Sequence, residues 1–196
     1  MFMPKRNARE QLLERAIAYI SDRGISDLSL RELGAAIGSS HRMLIHHFGS
    51  REGLWVEVIR AVESEQRENL PDLLPDPIAD PAGAMRAWWR HISDPSFWPN
   101  ERLFFELYGQ ALQGRPGTEE LLDGIVDSWL PPIIAINIAS GMDEPTATAH
   151  ARLGIAVTRG LLLDLLATDD RTAVDAAMDH WIALNLAAAP ATRASS

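Results

Sequence analysis

Apolar residues recur along this chain at the spacing of an α-helix, and no stretch shows the period of two that marks a strand. In residues 8–23, Leu12, Ala16 and Ile20 share one side of a helix while charged residues occupy the other. This pattern predicts an amphipathic first helix, and Gly24 is a suitable residue to end it.

Two short helices are predicted next. Ser29, with Glu32 three residues later, has the spacing of a capping box and opens a helix that Gly38 ends. Ser40 can then cap a third helix over residues 41–47. Two helices of about two turns each, joined by a tight glycine turn, are typical of a helix-turn-helix.

A longer helix is predicted from Ser50 to about Leu70, and the proline-rich residues 71–77 are predicted to end it and form the main loop. Pro131 and Pro132 are expected to kink or split a later helix. The predicted helices after the loop are residues 81–92, 98–113, 118–140, 144–167 and 171–188. The expected fold class is therefore all-α.

The composition excludes several kinds of protein. There is no cysteine, so disulfides, thiolate zinc sites and cysteine nucleophiles are ruled out. The longest apolar candidate, residues 151–168, is interrupted by Arg152, Arg159 and Asp164, so no membrane span is predicted. The first residues lack the apolar stretch of a secretory signal. We expect a soluble, cytoplasmic protein.

An enzyme is the first rival interpretation, and the sequence lacks the motifs that would favour it. It has no nucleophile elbow, no phosphate-cradling glycine loop and no His-Glu-x-x-His pair. The 6 histidines do not fall at metal-ligand spacing. We therefore expect no enzyme, no catalytic residues, no metal and no cofactor.

Charge is distributed unevenly along the chain. The whole chain has a net charge of −9, which by itself argues against binding nucleic acid. Through Arg51, however, 8 basic residues face 5 acidic ones, a net charge of +3, and the remainder carries −12. Such asymmetry indicates a nucleic-acid-binding end joined to a part with another task. Lys5 and Arg6 are either a DNA-contacting arm or a solvated tail.

Residues 29–54 resemble the DNA-binding segment of the TetR family of repressors, in register and without a gap. In that family a Ser or Thr opens the second helix, a Gly ends it, an aromatic-x-His-Phe run ends the recognition helix, and Ser-Lys-Glu-x-Leu opens the fourth helix. The matching residues are Gly38, Ser40, Leu44, His47, Phe48, Ser50, Glu52 and Leu54. Three positions depart from the pattern: Ile45 replaces a Tyr that usually touches a phosphate, Arg42 a frequent Gly, and Arg51 the usual Lys.

The resemblance implies a domain organisation and a function. Residues 1–50 would form a three-helix DNA-binding domain with the helix-turn-helix, and residues 51–196 a larger helical domain for ligand binding and dimerisation. The implied activity is that of a ligand-responsive repressor that binds a palindromic DNA operator as a dimer. The alternative is a protein of the same fold that has lost DNA binding and only binds a ligand or another protein; Ile45 leaves this open.

In a helix-turn-helix, the N-terminal residues of the second helix face base edges in the major groove, and neighbouring groups hold phosphates. We predict that Arg42 reads a base. The predicted DNA contacts are Ser29, Arg31, Ser39, Ser40, His41, Arg42, Met43, His46, His47 and Arg51. Two of these have a plain structural alternative: His47 as a core histidine that orients Phe48, and Met43 as a packing residue.

The last two predicted helices are apolar on more than one face, and Gly154 and Gly160 would permit close approach of another helix. A helix that is apolar on two sides must be covered on two sides. The family resemblance implies that these helices form a four-helix bundle with a second copy of the chain. The alternative is that they only complete the core of a monomer.

Aromatic side chains crowd the middle of the chain, which suits an apolar ligand cavity. Arg159 is isolated in an apolar helix and would need an anion or another acceptor if buried. The predicted contacts of an unidentified small-molecule effector are Trp88, Trp89, Phe105, Tyr108, Trp129 and Arg159. The alternative is that the aromatic residues are simply core.

Overall fold

The computed structural model describes residues 7–23, 28–74 and 76–188, and all regular secondary structure in these ranges is helical. The predicted Gly24 terminus and the Lys5 and Arg6 arm lie outside the described residues. The α-helices are α1 (Ala8–Arg23), α2 (Leu30–Ala36), α3 (His41–Phe48), α4 (Arg51–Leu73), α5 (Pro81–Ile92), α6 (Trp98–Leu112), α7 (Leu130–Ala139), α8 (Glu144–Thr168) and α9 (Arg171–Ala188). Short 3₁₀-helices occupy Pro95–Phe97 and Glu119–Leu122.

Two predicted helix boundaries are wrong, both at prolines. Residues 118–140 are not one helix: a 3₁₀ turn and irregular residues precede α7. Pro131 and Pro132 lie in the first turn of α7, where the missing N–H has no intrahelical partner to lose, so they begin a helix instead of kinking one. Pro71 does not end α4, which continues to Leu73. Proline lacks one backbone N–H donor, and only two helical residues follow Pro71, so the lost hydrogen bond falls in the last turns of the helix.

The chain forms two compact units. The first comprises residues up to 66 together with 95–123, and the second comprises residues 67–94 together with those from 124 onward. The predicted division at residue 50 concerns function and stays a prediction.

In the first unit, α2 packs on α3, and α6 packs on α1 and on the 3₁₀ turn that follows it. Asn100 in α6 donates to the hydroxyl of Ser21 in α1 over 3.1 Å. Fully buried side chains from five helices form the core: Ile20, Leu33, Leu44, Leu54, Ile59, Leu103 and Leu107. Both helices of the helix-turn-helix therefore contribute a fully buried leucine to the interior of this unit, Leu33 from α2 and Leu44 from α3.

In the second unit, α7 packs against α8, and α9 packs against α5 and α8. Leu162 and Leu165 of α8 and Val174, Met178 and Ile182 of α9 are buried in its core. Asp143 caps α8 by accepting from the Thr146 amide over 3.0 Å. That hydrogen bond lowers the pKa of the Asp143 carboxyl below its usual value.

Candidate DNA-binding site

The capping box predicted at the start of α2 is confirmed. The Ser29 hydroxyl oxygen accepts from the Glu32 amide over 3.2 Å, and Glu32 Oε2 accepts from the Ser29 amide over 3.0 Å. The Ser29 hydroxyl also donates to Glu32 Oε2 over 2.6 Å, and these bonds lower the pKa of Glu32. Because the hydroxyl proton is used within the box, a phosphate contact by Ser29 would require the hydroxyl to rotate.

Two glycines set the turn between α2 and α3. Gly38 has a φ of +70°, a conformation that L side chains rarely adopt. A Cβ on Gly34 would lie 3.0 Å from the carbonyl carbon of Ser40 and 3.1 Å from the amide nitrogen of His41. Sequence reasoning missed Gly34, although a glycine inside a short helix has poor helix propensity and thus signals a close approach.

The first half of α3 presents its polar side chains to solvent. Ser40 caps the helix, its hydroxyl oxygen accepting from the Met43 amide over 3.3 Å. His41, Arg42, Met43 and His46 are exposed, whereas Leu44 and Phe48 are buried. The cap and the two buried residues hold the helix in place. Its outer face is exposed, so it can enter a groove of DNA.

The remaining predicted contacts lie around this face. Arg31 on α2 is exposed, and Ser39 in the turn is half-buried. Arg51 is exposed at the start of α4, with its guanidinium 6.0 Å from the centre of the Trp55 ring. Arg31, Arg42 and Arg51 thus supply three exposed positive charges.

His47 is placed differently from its neighbours. It is half-buried, and its Nε2 atom is buried with no hydrogen-bond partner among the described residues. Its ring meets those of His46, 5.0 Å away, and Phe48, 6.3 Å away. A phosphate would have to reach Nδ1, since Nε2 faces the protein.

The predicted effector residues are divided between the two units. Phe105 and Tyr108 belong to α6 of the first unit, where both are half-buried. In the second unit, the Trp88 and Trp129 rings lie 5.4 Å apart in a cluster of buried apolar residues. This cluster includes Leu70, Leu130, Ala151 and Ile155, packed with Leu74, Val126, Ile133 and Ile134.

Three further contacts in the second unit involve predicted effector residues. Trp89 is buried and donates its indole N–H to Asp175 over 2.7 Å, which ties α5 to α9. Arg159 has an internal acceptor, the carbonyl oxygen of Ile125 at 2.6 Å. The guanidinium of Arg67 lies 5.5 Å from the centre of the Trp129 ring. Sequence reasoning did not single out Arg67, because only the fold brings it to that ring.

The last two helices have one apolar side in the core and another in solvent. Leu153 and Leu163 of α8 are each 49% exposed, and Leu184 of α9 is 52% exposed. The small residues Ala156, Gly160, Ala167, Ala176, Ala177 and Ala183 on the same two helices are also exposed. We call this set of exposed residues the α8/α9 face.

No helix among residues 7–23, 28–74 and 76–188 is long and apolar enough to cross a membrane. Within those same ranges, no group of three or more His, Asp or Glu side chains is arranged to hold a metal ion.

A capped pair of short helices, joined at a glycine turn and exposing the start of the second helix, defines a helix-turn-helix DNA-binding protein. Residues 12–58 match the family model described as bacterial regulatory proteins, tetR family. Over this segment the chain matches the TetR family of transcriptional regulators, in agreement with the predicted resemblance. The predicted all-α fold class is also confirmed.

Known proteins similar to the chain agree with this assignment. The HTH-type transcriptional repressor NicS of Pseudomonas putida is 27% identical over 155 residues, covering 76% of this chain and 72% of NicS. The fold matches that of a transcriptional regulator from Rhodococcus sp. Rha1, with a TM-score of 0.74 at 20% identity over 95% of this chain and all of the other. It also matches the multidrug binding protein EbrR in complex with proflavin, with a TM-score of 0.63 at 21% identity over 91% and 99% of the two chains.

Proposed function

We propose that this regulator is a ligand-responsive repressor, acting in the cytoplasm, that binds a palindromic operator as a homodimer. The proposal of DNA binding rests on one observation: the start of α3 is exposed, while Leu44 and Phe48 of the same helix are buried and anchor it. In this class of fold that part of the helix enters the major groove. The similarity to NicS, a repressor by name, supports repression.

We assign the predicted DNA contacts two roles. Arg42, exposed near the start of α3, reads a guanine edge in the major groove. Ser39, His41, Met43 and His46 lie on or next to the same face and complete the base-facing surface. The proposed phosphate contacts are Ser29, Arg31, Ser40, His47 and Arg51.

The α8/α9 face supports the homodimer. Exposed leucines separated by exposed alanines and a glycine let two helices approach closely and exclude water between them. A twofold dimer would place two copies of α3 on half-sites about one turn of DNA apart.

The proposed effector site lies in the aromatic region of the second unit. Trp88, Trp129 and Arg159 belong to that unit, so we assign them to the effector, while Phe105 and Tyr108 of the first unit stay predicted contacts. The shared fold with EbrR, a protein whose structure holds proflavin, supports a small-molecule effector. Mass spectrometry of the purified chain under native conditions tests this; a mass equal to the bare polypeptide in every preparation would count against a tightly held effector.

Selection of duplexes from a random-sequence library by the full chain tests DNA binding. The proposal predicts enrichment of a twofold-symmetric sequence bound by two protomers. Failure to enrich any sequence would favour the alternative, a TetR-like protein that has lost DNA binding. That alternative rests on Ile45, a half-buried apolar residue where the family pattern has a phosphate-contacting Tyr.

A further inference from the structure

Arg9 joins three helices of the first unit. It lies on α1, and its Nε donates to the carbonyl oxygen of His47 in the last turn of α3 over 3.4 Å. Its guanidinium lies 5.1 Å from the centre of the Phe48 ring. Its Nη2 pairs with Glu57 Oε2 of α4 over 2.7 Å. One side chain of α1 thus contacts both the end of α3 and the side of α4.

The chemistry of a helix terminus explains why a cation belongs there. The last carbonyls of a helix have no intrahelical donor and carry partial negative charge. Arg9 supplies both a donor and a positive charge to that end of α3, while its planar group covers the Phe48 ring. Glu57 of α4 pairs with the same guanidinium, so groups on both α3 and α4 orient it.

We propose that Arg9 is a positioning residue for the recognition helix: it holds the end of α3 against α1 and α4 and thereby sets the angle at which the start of α3 meets base edges. The proposal rests on the proposed operator binding. It assigns the Arg9 guanidinium to a carboxylate, a carbonyl and a ring of the protein and not to a phosphate of the DNA.

The test uses the full chain, a duplex selected by the wild type from a random library, and an unselected duplex of the same length. Arg9→Met should weaken binding to the selected duplex about tenfold. Binding to the unselected duplex should change by less than about twofold, since it does not depend on base readout. The dependence of log affinity on log salt should keep the wild-type slope, and Arg9→Lys should restore part of the loss.

Arg23→Met is the matched control, since Arg23 lies on the same helix, is exposed, and its Nε donates to the carboxylate of the neighbouring Asp22 over 3.1 Å. Equal behaviour of Arg9→Met and Arg23→Met would overturn the proposal. So would an equal loss on both duplexes with a slope shallower by about 1.8, which is the signature of one lost phosphate contact in each of the two protomers.

Glu57→Gln keeps the test decisive if Arg9→Met fails to fold. It removes the ion pair and leaves Arg9 in place, so we expect a smaller loss confined to the selected duplex. The double variant Arg9→Met/Glu57→Gln should bind as Arg9→Met does, because Glu57 acts through Arg9; additive losses would contradict this. If the wild type enriches no duplex, operator binding and this inference both fail, whereas enrichment without an Arg9 effect overturns the inference alone.

Discussion

At the scale of single residues, Arg42 has the most specific role proposed for this regulator. It is exposed on α3 and stands where the family pattern has a frequent Gly. A long guanidinium there adds two donors that can meet the two acceptors of guanine. The operator of this protein should therefore contain one base pair per half-site that depends on Arg42.

Replacing Arg42 with Ala tests this role. We expect a loss of about 1 to 3 kcal/mol in binding free energy and a relaxed preference at one base pair per half-site. Fluorescence anisotropy with the selected duplex and its single-base variants measures both. Arg31→Ala is the control: it should lose affinity equally on all sequences. A uniform loss for Arg42→Ala would assign that residue to phosphate.

His91 in α5 makes the stability of the protein dependent on pH. Burial lowers the pKa of His91 below its usual 6.5, and the nearby Asp94 carboxylate opposes this shift. Between the lowered value and 6.5 the unfolded chain binds more protons than the folded one, so stability falls as the pH falls through that window. His91→Gln should flatten the pH dependence of the urea unfolding free energy between about pH 8 and 5. An unchanged slope in the variant would contradict this cause.

At the scale of elements, local cap chemistry made some helices predictable. Ser29 and Ser40 bond to amides only three residues away, so the sequence around them suffices to place the starts of α2 and α3. The prediction of one helix over residues 118–140 was wrong because distant groups hold part of this segment in irregular conformations. Arg60 donates to the carbonyl of Glu120 over 2.5 Å, and Arg159 to that of Ile125 over 2.6 Å. Helical spacing of apolar residues cannot reveal such contacts.

The loop after α6 packs on the start of α4 at Gly117. This glycine has a φ of +86°, and a Cβ on it would lie 3.2 Å from the Ser50 hydroxyl and 3.3 Å from the Cβ of Glu52. Gly117→Ala should lower the free energy of unfolding by more than about 1 kcal/mol, because strain and crowding add.

Gly114→Ala is the matched control for this effect. Gly114 has a φ of +69°, but a Cβ on it would meet no described atom within 4 Å, so only backbone strain applies. Urea unfolding should show a smaller loss for Gly114→Ala than for Gly117→Ala. Equal losses would mean that the contact with Ser50 and Glu52 has no energetic weight.

At the scale of the whole molecule, the division into two units limits what the sequence could reveal about the effector. The crowding of aromatic residues along the chain predicted a single effector-binding region. In the structure, however, Phe105 and Tyr108 belong to the first unit, and Trp88, Trp89 and Trp129 belong to the second. Composition and spacing carry no information on which unit a helix joins. The α8/α9 face was easier to anticipate, since helices apolar on two sides need two partners.

Dimerisation can be tested with two substitutions on this face. Leu163→Glu and Leu184→Glu place a charge among apolar residues that the proposed dimer buries, and each should raise the dissociation constant of the dimer by more than about tenfold. Analytical ultracentrifugation measures this. Leu112→Glu is the control, since Leu112 is 68% exposed on α6. That helix belongs to the first unit, whereas α8 and α9 belong to the second. Unchanged dimers in the first two variants would refute the assignment.

The central claim is DNA binding through the helix-turn-helix, and the salt dependence of binding to the chain's own upstream promoter region tests it most directly. Arg31 and Arg51 from each of two protomers predict a slope of log affinity against log salt of about −3.6 or steeper. A gel shift across a salt series, with two protomers in the shifted complex, is the expected result. No salt-sensitive shift at concentrations where the chain is dimeric would contradict the account.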